Sequence, residues 1–166
     1  QYAYDHELSD GFLLAGPQRQ LSSCMYAAAR HWKEKSSALS NLEEQLYEDI
    51  GEVSEKQLSE LEVSGLFAYL RDRVVPKIDL NLLREADSKY RLFKNVVVEY
   101  LAGSQNKKII VFSFFRGTLQ YLSERLAEDG IVSQVLIGGM KETKQEVIAR
   151  FRESKELSVL LSSEVA

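Results

Sequence analysis

Cysteine, histidine and proline are scarce in this chain, with one, two and two residues, respectively. The single cysteine, Cys24, excludes an internal disulfide bond and fits a reducing compartment. Structural zinc sites need about four Cys or His ligands. One cysteine and two histidines are therefore too few for a convincing zinc site.

Long hydrophobic runs are also absent, since no apolar stretch approaches the roughly 18 residues that a membrane-spanning helix needs. The first residues include Asp5, Glu7 and Asp10 instead of the basic stretch and apolar core of a secretory signal. We therefore expect no membrane insertion. The predicted location is cytoplasmic, or nuclear if the source is eukaryotic.

Two groups of catalytic motifs are missing as well. The sequence contains no G-x-x-x-x-G-K-[ST] phosphate loop and suggests no Ser-His-acid or Cys-His set. We expect no ATP hydrolysis by this chain alone.

The first residue is Gln1, and Ala166 follows an apolar strand directly. Because parallel sheets are normally covered on both faces, a piece of a longer protein with a partly uncovered sheet is expected.

The remaining composition is that of an ordinary globular protein: 166 residues, 45% hydrophobic and 28% charged, enough for one or two small domains. The net charge of -4 is unevenly divided, with -5 in residues 1–84 and +1 in residues 85–166. This balance is a weak electrostatic signature for nucleic acid. Any such binding has to come from the local placement of a few groups.

The first half of the chain shows helix signals only. Gly11 to Pro17 predicts a break, and the helix after it has one apolar stripe with Cys24 on its flank, formed by Leu21, Met25, Ala28 and Trp32. His31 and Trp32 invite a cofactor or stacking interpretation, but core packing explains them better.

Three more helices are predicted before the first strand. One begins at the capping pair Ser40 and Glu43, a second begins near Ser54 and stops at Pro76, and a third runs from near Asp87 to Gly103. A solvated helix face explains the nearby acidic cluster better than a cation site does, the cluster being Glu43, Glu44, Glu48 and Asp49. A loop at residues 103–106 leads into the second half.

The second half alternates strand and helix signals. Strands are predicted at Ile109 to Phe112, Val132 to Ile137 and Leu157 to Leu161. The helices between them begin near Arg116 and at Thr143, and Gly130 ends the first of them. Such alternation predicts an α/β fold with a parallel sheet. The predicted domains are a helical segment at residues 1–84 and an α/β domain at residues 85–166.

Small, basic or glycine residues follow each predicted strand, and the carboxyl ends of strands are where ligands bind to open α/β sheets. The three groups are Ser113, Phe114, Arg116 and Gly117; Gly138, Gly139 and Lys141; and Ser162 and Ser163. A helix amino terminus binds anions, and arginine adds a fork for phosphate. An ordinary turn or helix cap explains the first and third groups equally well and explains Gly138, Gly139 and Lys141 better, whereas three groups on one edge favour a polyanion site.

The order of these segments resembles the second RecA-like lobe of superfamily 2 helicases, particularly Snf/Swi-type remodellers and bacterial RNA-polymerase-recycling ATPases. The matching segments are KIIVFSFFRGTLQYLSERL at 108–126, which resembles helicase motif IV, VLIGGM at 135–140, IARFRES at 148–154, and VLLSSEVA at 159–166, which is similar to the start of motif V. Upstream, RQLSSCMYAAARHW at 19–32 resembles the helical segment between the lobes.

The resemblance implies a truncated RecA-like lobe of an ATP-dependent helicase or translocase. It implies that lobe 1 of the same parent protein supplies the phosphate loop, that ATP and magnesium serve the parent, and that the arginine fingers lie in a missing motif. It also implies contacts to the nucleic-acid backbone, with DNA favoured over RNA, at Ser113, Phe114, Arg116, Gly138, Gly139, Ser162 and Ser163. Self-association through the uncovered sheet is a further expectation.

Two other functions stay open at the level of sequence. The acidic helical half is compatible with a protein-interaction or regulatory module that carries an α/β half. Alternatively, Gly138 and Gly139 cradle a phosphate in a doubly wound domain that binds a small molecule.

Overall fold

The computed structural model describes residues 10–34, 65–66, 68–103 and 106–163. The chain divides into two compact units, residues 1–86 and residues 87–166. The predicted helix starts at Ser40 and Ser54, and the acidic cluster at 43–49, lie outside the described residues. The domain roles predicted for residues 1–84 and 85–166 stay predictions.

The described part of the first unit is helical. Helix α1 (Asp10–Ser23) is followed by α2 (Met25–Glu34), by a π-helical turn (Leu70–Val74) and a 3-10 turn (Val75–Lys77), and by α3 (Leu80–Glu85). Cys24 separates α1 from α2, although its amide still donates to the Gln20 carbonyl over 3.0 Å and its carbonyl accepts from the Ala28 amide over 3.0 Å. The helical path therefore continues across Cys24.

Two sequence predictions for this unit are wrong in detail. The predicted break at Gly11 to Pro17 is absent, since α1 runs through Pro17. Proline removes one amide hydrogen bond and its ring crowds the carbonyl four residues earlier, a local cost of about 3 kcal/mol that a helix held by its neighbours can absorb. Pro76 lies within the 3-10 turn instead of stopping a regular helix before it.

The predicted apolar stripe is only half correct. Ala28 and Trp32 are buried, whereas Leu21 is 36% and Met25 58% exposed. Gln20, Cys24 and Ala27 are buried on the same continuous helical path, so the buried face is offset from the predicted stripe. The core placement of Trp32 is confirmed, because it packs with Ala28 and Val75. Its Nε1 also donates to Gln20 Oε1 over 2.8 Å.

The second unit begins with α4 (Ser88–Ala102), as the sequence predicts. Asp87 caps this helix by accepting a hydrogen bond from the Tyr90 amide over 2.9 Å, and Gly103 follows its last turn. Val97 is buried in the sheet core, with Phe93 and Leu101 packed against the same cluster. The apolar face of α4 thus covers one side of the sheet.

The sheet is parallel, which confirms the α/β prediction. Its strands are β1 (Ile109–Ser113), β2 (Ser133–Leu136) and β3 (Val159–Ser163), in the order β1-β3-β2. Helix α5 (Arg116–Glu128) connects β1 to β2, and α6 (Lys144–Glu153) connects β2 to β3. The last strand along the chain is therefore the central one, an order that periodicity alone does not predict.

The central strand separates two apolar clusters. Val159 and Leu161 pack with Leu119 and Leu126 of α5, whereas Leu160 packs with residues of α6 in the second cluster. Successive strand residues point to opposite faces, so α5 and α6 cover opposite sides of β3. All five residues of β3 are buried. This core fixes where the loops that follow the strands lie.

Candidate nucleic-acid interface

The carboxyl ends of the three strands lie side by side, and the border of the sheet that they form is called the sheet edge here. Ser113 at the end of β1 pairs in register with Ser163 of β3, and Leu136 at the end of β2 pairs with Ser162. Because all three strands are parallel, the loops that follow β1 and β2 leave from this same edge. Arg116, Gly138 and Ser162 are thus grouped along one edge and not scattered over the molecule.

The loop after β1 leads directly into a helix amino terminus. Ser113 Oγ accepts from the Phe115 amide over 3.3 Å, and Phe115 occupies the N-cap position of α5 without a side-chain cap. Phe115 is buried, and its ring lies 5.3 Å from the half-buried Phe114 ring in an edge-on arrangement. The buried ring holds the start of α5, where Arg116 and Gly117 come first, at the edge of the sheet.

That position has an electrostatic consequence. The amino-terminal end of a helix carries a partial positive charge and points backbone amides outward, which suits an anion such as phosphate. Arg116 adds a full charge there and is only partly exposed. The arrangement is compatible with a phosphate contact, and the assignment of Arg116 and Gly117 to such a contact stays a prediction.

The loop after β2 depends on a glycine. Gly139 has φ of 75°, a left-handed conformation that side-chain-bearing residues rarely adopt. Nothing lies within 4 Å of the position that a Cβ would take there, so the backbone angle and not a close approach requires glycine. The Ile137 amide donates to Met140 Sδ over 3.3 Å within this turn. Lys141 follows the turn and is exposed.

The loop ends in the capping box that the sequence predicts. The Thr143 amide donates to Glu146 Oε2 over 2.8 Å, and the Glu146 amide donates to Thr143 Oγ1 over 3.3 Å. Helix α6 therefore has a fixed start. The hydrogen bonds from Thr143 also hold the pKa of Glu146 below its ordinary value.

Ser162 and Ser163 do not lie past the end of β3, as predicted, but are its last two residues, each 5% exposed. The prediction fails because β3 is the central strand and continues to the edge where β1 ends. Ser162 Oγ donates to the Ser163 carbonyl over 3.2 Å. Ser163 Oγ has no hydrogen-bond partner among the described residues. Their predicted contact with nucleic acid stays a prediction.

Sequence reasoning missed a charged cluster beside the second loop. Arg150 of α6 donates to both carboxylate oxygens of Glu142, over 2.6 Å and 3.0 Å, and to Gln134 Oε1 over 3.0 Å. The hydrogen bond with Arg150 holds the pKa of Glu142 below its ordinary value. The spacing of eight between residues 142 and 150 crosses a loop and a helix start, so no helical or strand period reveals it.

The described residues contain no group of three or more His, Cys, Asp or Glu side chains that could hold a metal ion. No helix among them is long and apolar enough to cross a membrane.

Comparison with known proteins finds similarity in the second unit. Residues 89–166 match the family model of the helicase conserved C-terminal domain. The chain is also 29% identical, over 106 residues, to the pre-mRNA-splicing ATP-dependent RNA helicase PRP28 of Meyerozyma guilliermondii. That alignment covers 63% of this chain and 17% of the relative's length, and no solved structure gives a significant match.

These findings support a helicase C-terminal domain in the α/β part of the chain. The three-stranded parallel sheet with its helices is consistent with a truncated RecA-like domain, preceded by helices. The matched region begins near the start of α4 and includes both loops of the sheet edge. The candidate site therefore lies within the residues that match this family model.

Proposed function

We propose that this chain forms part of the second lobe of an ATP-dependent helicase or nucleic-acid translocase and contributes contacts to the nucleic-acid backbone. The observation that carries the proposal is the grouping of Arg116 and Lys141 on loops that leave the same sheet edge, within the matched residues. Contacts to phosphates position a nucleic-acid strand without reading its base sequence.

The proposed contacts are made by two loops of different character. The first offers the start of α5 with Ser113, Phe114, Arg116 and Gly117, and the second offers Gly138, Gly139 and Lys141. Ser162 and Ser163 lie at the end of β3 between them and support the edge from within the sheet. We propose that the two serine hydroxyls contribute to the site from this buried position at the end of the strand.

ATP and magnesium are assigned to the whole parent protein. No phosphate loop occurs in the sequence, so lobe 1 of the parent is proposed as the partner that binds nucleotide, and this chain alone is proposed to be inactive. We place the parent in the Snf/Swi-type group on the order of the motifs at 108–126, 135–140 and 159–166. The proposed location is the cytoplasm, or the nucleus in a eukaryote.

The kind of nucleic acid needs a direct comparison. The motif resemblance favours DNA, whereas the named relative is an RNA helicase. Backbone contacts alone discriminate weakly between the two, because phosphates are common to both. Single-stranded RNA and DNA of one sequence are therefore both used in the test.

The test is fluorescence anisotropy with labelled single-stranded oligonucleotides at several salt concentrations. Arg116→Ala and Lys141→Ala are each expected to weaken binding and to reduce the slope of log affinity against log salt by about 1. The control is Arg152→Ala, which removes an exposed arginine near the far end of α6. Binding that ignores salt, or equal losses in all three variants, would contradict the proposal.

A second measurement tests the parent protein. Its ATPase activity is expected to rise when RNA or DNA is added, because the two lobes of such enzymes act together. No stimulation by either nucleic acid would count against a translocase. Saturable micromolar binding of a nucleotide to this chain alone would instead favour the small-molecule alternative.

Self-association is proposed through strand β1. Among the described strands β1 pairs only with β3, and its Ile110 and Phe112 are 51% and 64% exposed. An exposed edge strand with apolar residues is a template for pairing with a second chain. Light scattering that gives a strict monomer at all concentrations would refute this.

A further inference from the structure

The loop that carries Lys141 is held from outside by one side chain. Arg150 reaches from α6 to Glu142, directly after Lys141, with two guanidinium nitrogens on two carboxylate oxygens. The same guanidinium also donates to Gln134 on β2 over 3.0 Å. One arginine therefore connects the helix, the edge strand and the loop between them.

This contact has the geometry of a specific interaction. Two parallel hydrogen bonds between a guanidinium and a carboxylate fix orientation as well as distance. The side chains of Arg150 and Glu142 are 44% and 43% exposed, so the pair sits in solvent and its attraction is screened by salt. Its effect is accordingly modest for overall stability and is concentrated on the loop.

The electrostatic role is separate from the mechanical one. Glu142 places a negative charge one residue after Lys141, where a nucleic-acid phosphate is proposed to bind. An uncompensated carboxylate there repels a polyanion and offsets the attraction of Lys141. Arg150 neutralises that carboxylate, so the loop presents the charge of Lys141 without opposition.

We propose that Arg150 is a positioning residue for nucleic-acid binding: it orders the loop from Ile137 to Thr143 and neutralises Glu142, and thereby lets Lys141 and the glycine turn meet a phosphate. This rests on the proposed function, since the phosphate contact is part of it. Arg150 itself is assigned no contact with nucleic acid. The first half of the proposal, the ordering of the loop, is independent of any ligand.

The two halves are separated by two measurements on the same variants. Hydrogen exchange of the loop amides, without nucleic acid, reports order, and oligonucleotide anisotropy reports binding. In Arg150→Ala, loop exchange is expected to rise about threefold and binding to weaken by about three- to fivefold, the upper part of the range for one exposed ion pair. The matched control Arg152→Ala removes the same charge two residues along α6, where the side chain is exposed. Arg152→Ala should change the loop exchange rate and the affinity for the oligonucleotide less than twofold.

The double variant Arg150→Ala with Glu142→Gln distinguishes neutralisation from ordering. It removes the carboxylate and the arginine together. The logarithm of the affinity for the oligonucleotide should therefore recover at least half of its loss, while hydrogen exchange of the loop amides stays fast. Recovery at low salt should exceed recovery at high salt, because screening weakens the repulsion that the double variant removes.

Each outcome is decisive. If loop exchange in Arg150→Ala matches the unmodified chain, the ordering role is overturned whatever the binding data show. If exchange rises but Arg150→Ala and Arg152→Ala bind equally well, the role in binding is overturned. If the unmodified chain binds no oligonucleotide, the proposed function fails and the binding role with it, while faster exchange in Arg150→Ala still supports the ordering role.

Discussion

The two units of this protein are held by different kinds of contact. In the described part of the first unit, one core cluster has Trp32 packed with Ala28 and Val75, and Trp32 also bonds to Gln20, twelve residues away. In the second unit, apolar residues from α4, α5 and β3 meet in one cluster. The second unit thus has a core shared by a sheet and its helices, whereas the described contacts of the first unit, some of them also distant in sequence, gather around one aromatic side chain.

The largest expected effect tests the core of the second unit. Leu119 is fully buried against β3, so Leu119→Ala should lower the free energy of unfolding of this unit by about 3 kcal/mol. Hydrogen exchange of the β3 amides measures it. The control is Leu92→Ala on α4, where the leucine is 68% exposed and the cost should be below about 0.5 kcal/mol. Equal losses of unfolding free energy in Leu119→Ala and Leu92→Ala would contradict the role of the buried cluster in the second unit.

A smaller effect is expected in the first unit. Trp32→Phe removes the Nε1 donor and leaves Gln20 Oε1, in a residue only 7% exposed, without this bond. The expected loss is about 2 kcal/mol, from the unpaired oxygen and the lost volume. Exchange of the α2 amides measures it, and a cycle with Gln20→Leu isolates the pair. No coupling between the two substitutions would show that packing alone holds Trp32.

The smallest effect concerns a polar link between α4 and the end of α5. Asp129 accepts from Lys94 Nζ and from the Tyr90 hydroxyl, each over 2.6 Å, and these bonds, that of Lys94 first, hold the pKa of Asp129 below its ordinary value. A lowered folded-state pKa stabilises the fold above the unfolded pKa, about 3.9, and this contribution is lost as pH falls through the folded value.

Asp129→Asn should therefore cost about 1 kcal/mol at pH 7, and the difference from the unmodified chain should shrink as pH falls below about 4. Urea unfolding at several pH values measures it. Glu153→Gln, which removes an exposed carboxylate of α6, serves as the control and should cost little at any pH. A constant difference across pH would show that charge does not contribute.

Sequence patterns predicted the second unit better than the first. The capping box at Thr143, the helix start near Asp87 and the helix end at Gly130 were predictable because each depends on residues within a few positions. The errors at Pro17, Met25 and Ser162 share a different cause. Whether a helix tolerates proline, or a serine lies inside a strand, depends on neighbours that are remote in sequence.

The candidate site divides in the same way. The sequence indicated that Arg116 and Lys141 follow parallel strands, which is sufficient to place them on one sheet edge. It gave no sign of Arg150 beside Glu142, because that contact joins side chains of a helix and a loop. Long side chains that meet across an element boundary have no period to detect.

By itself, the amino-acid sequence determined the alternation of strands and helices, the parallel sheet and the residues that follow each strand, because hydrophobic periodicity and capping are local. Only the tertiary structure decided that β3 is central, that Ser162 and Ser163 are buried in it, and that Arg150 neutralises Glu142. Strand order and side-chain pairing are set by packing between distant segments, which no short stretch of sequence encodes.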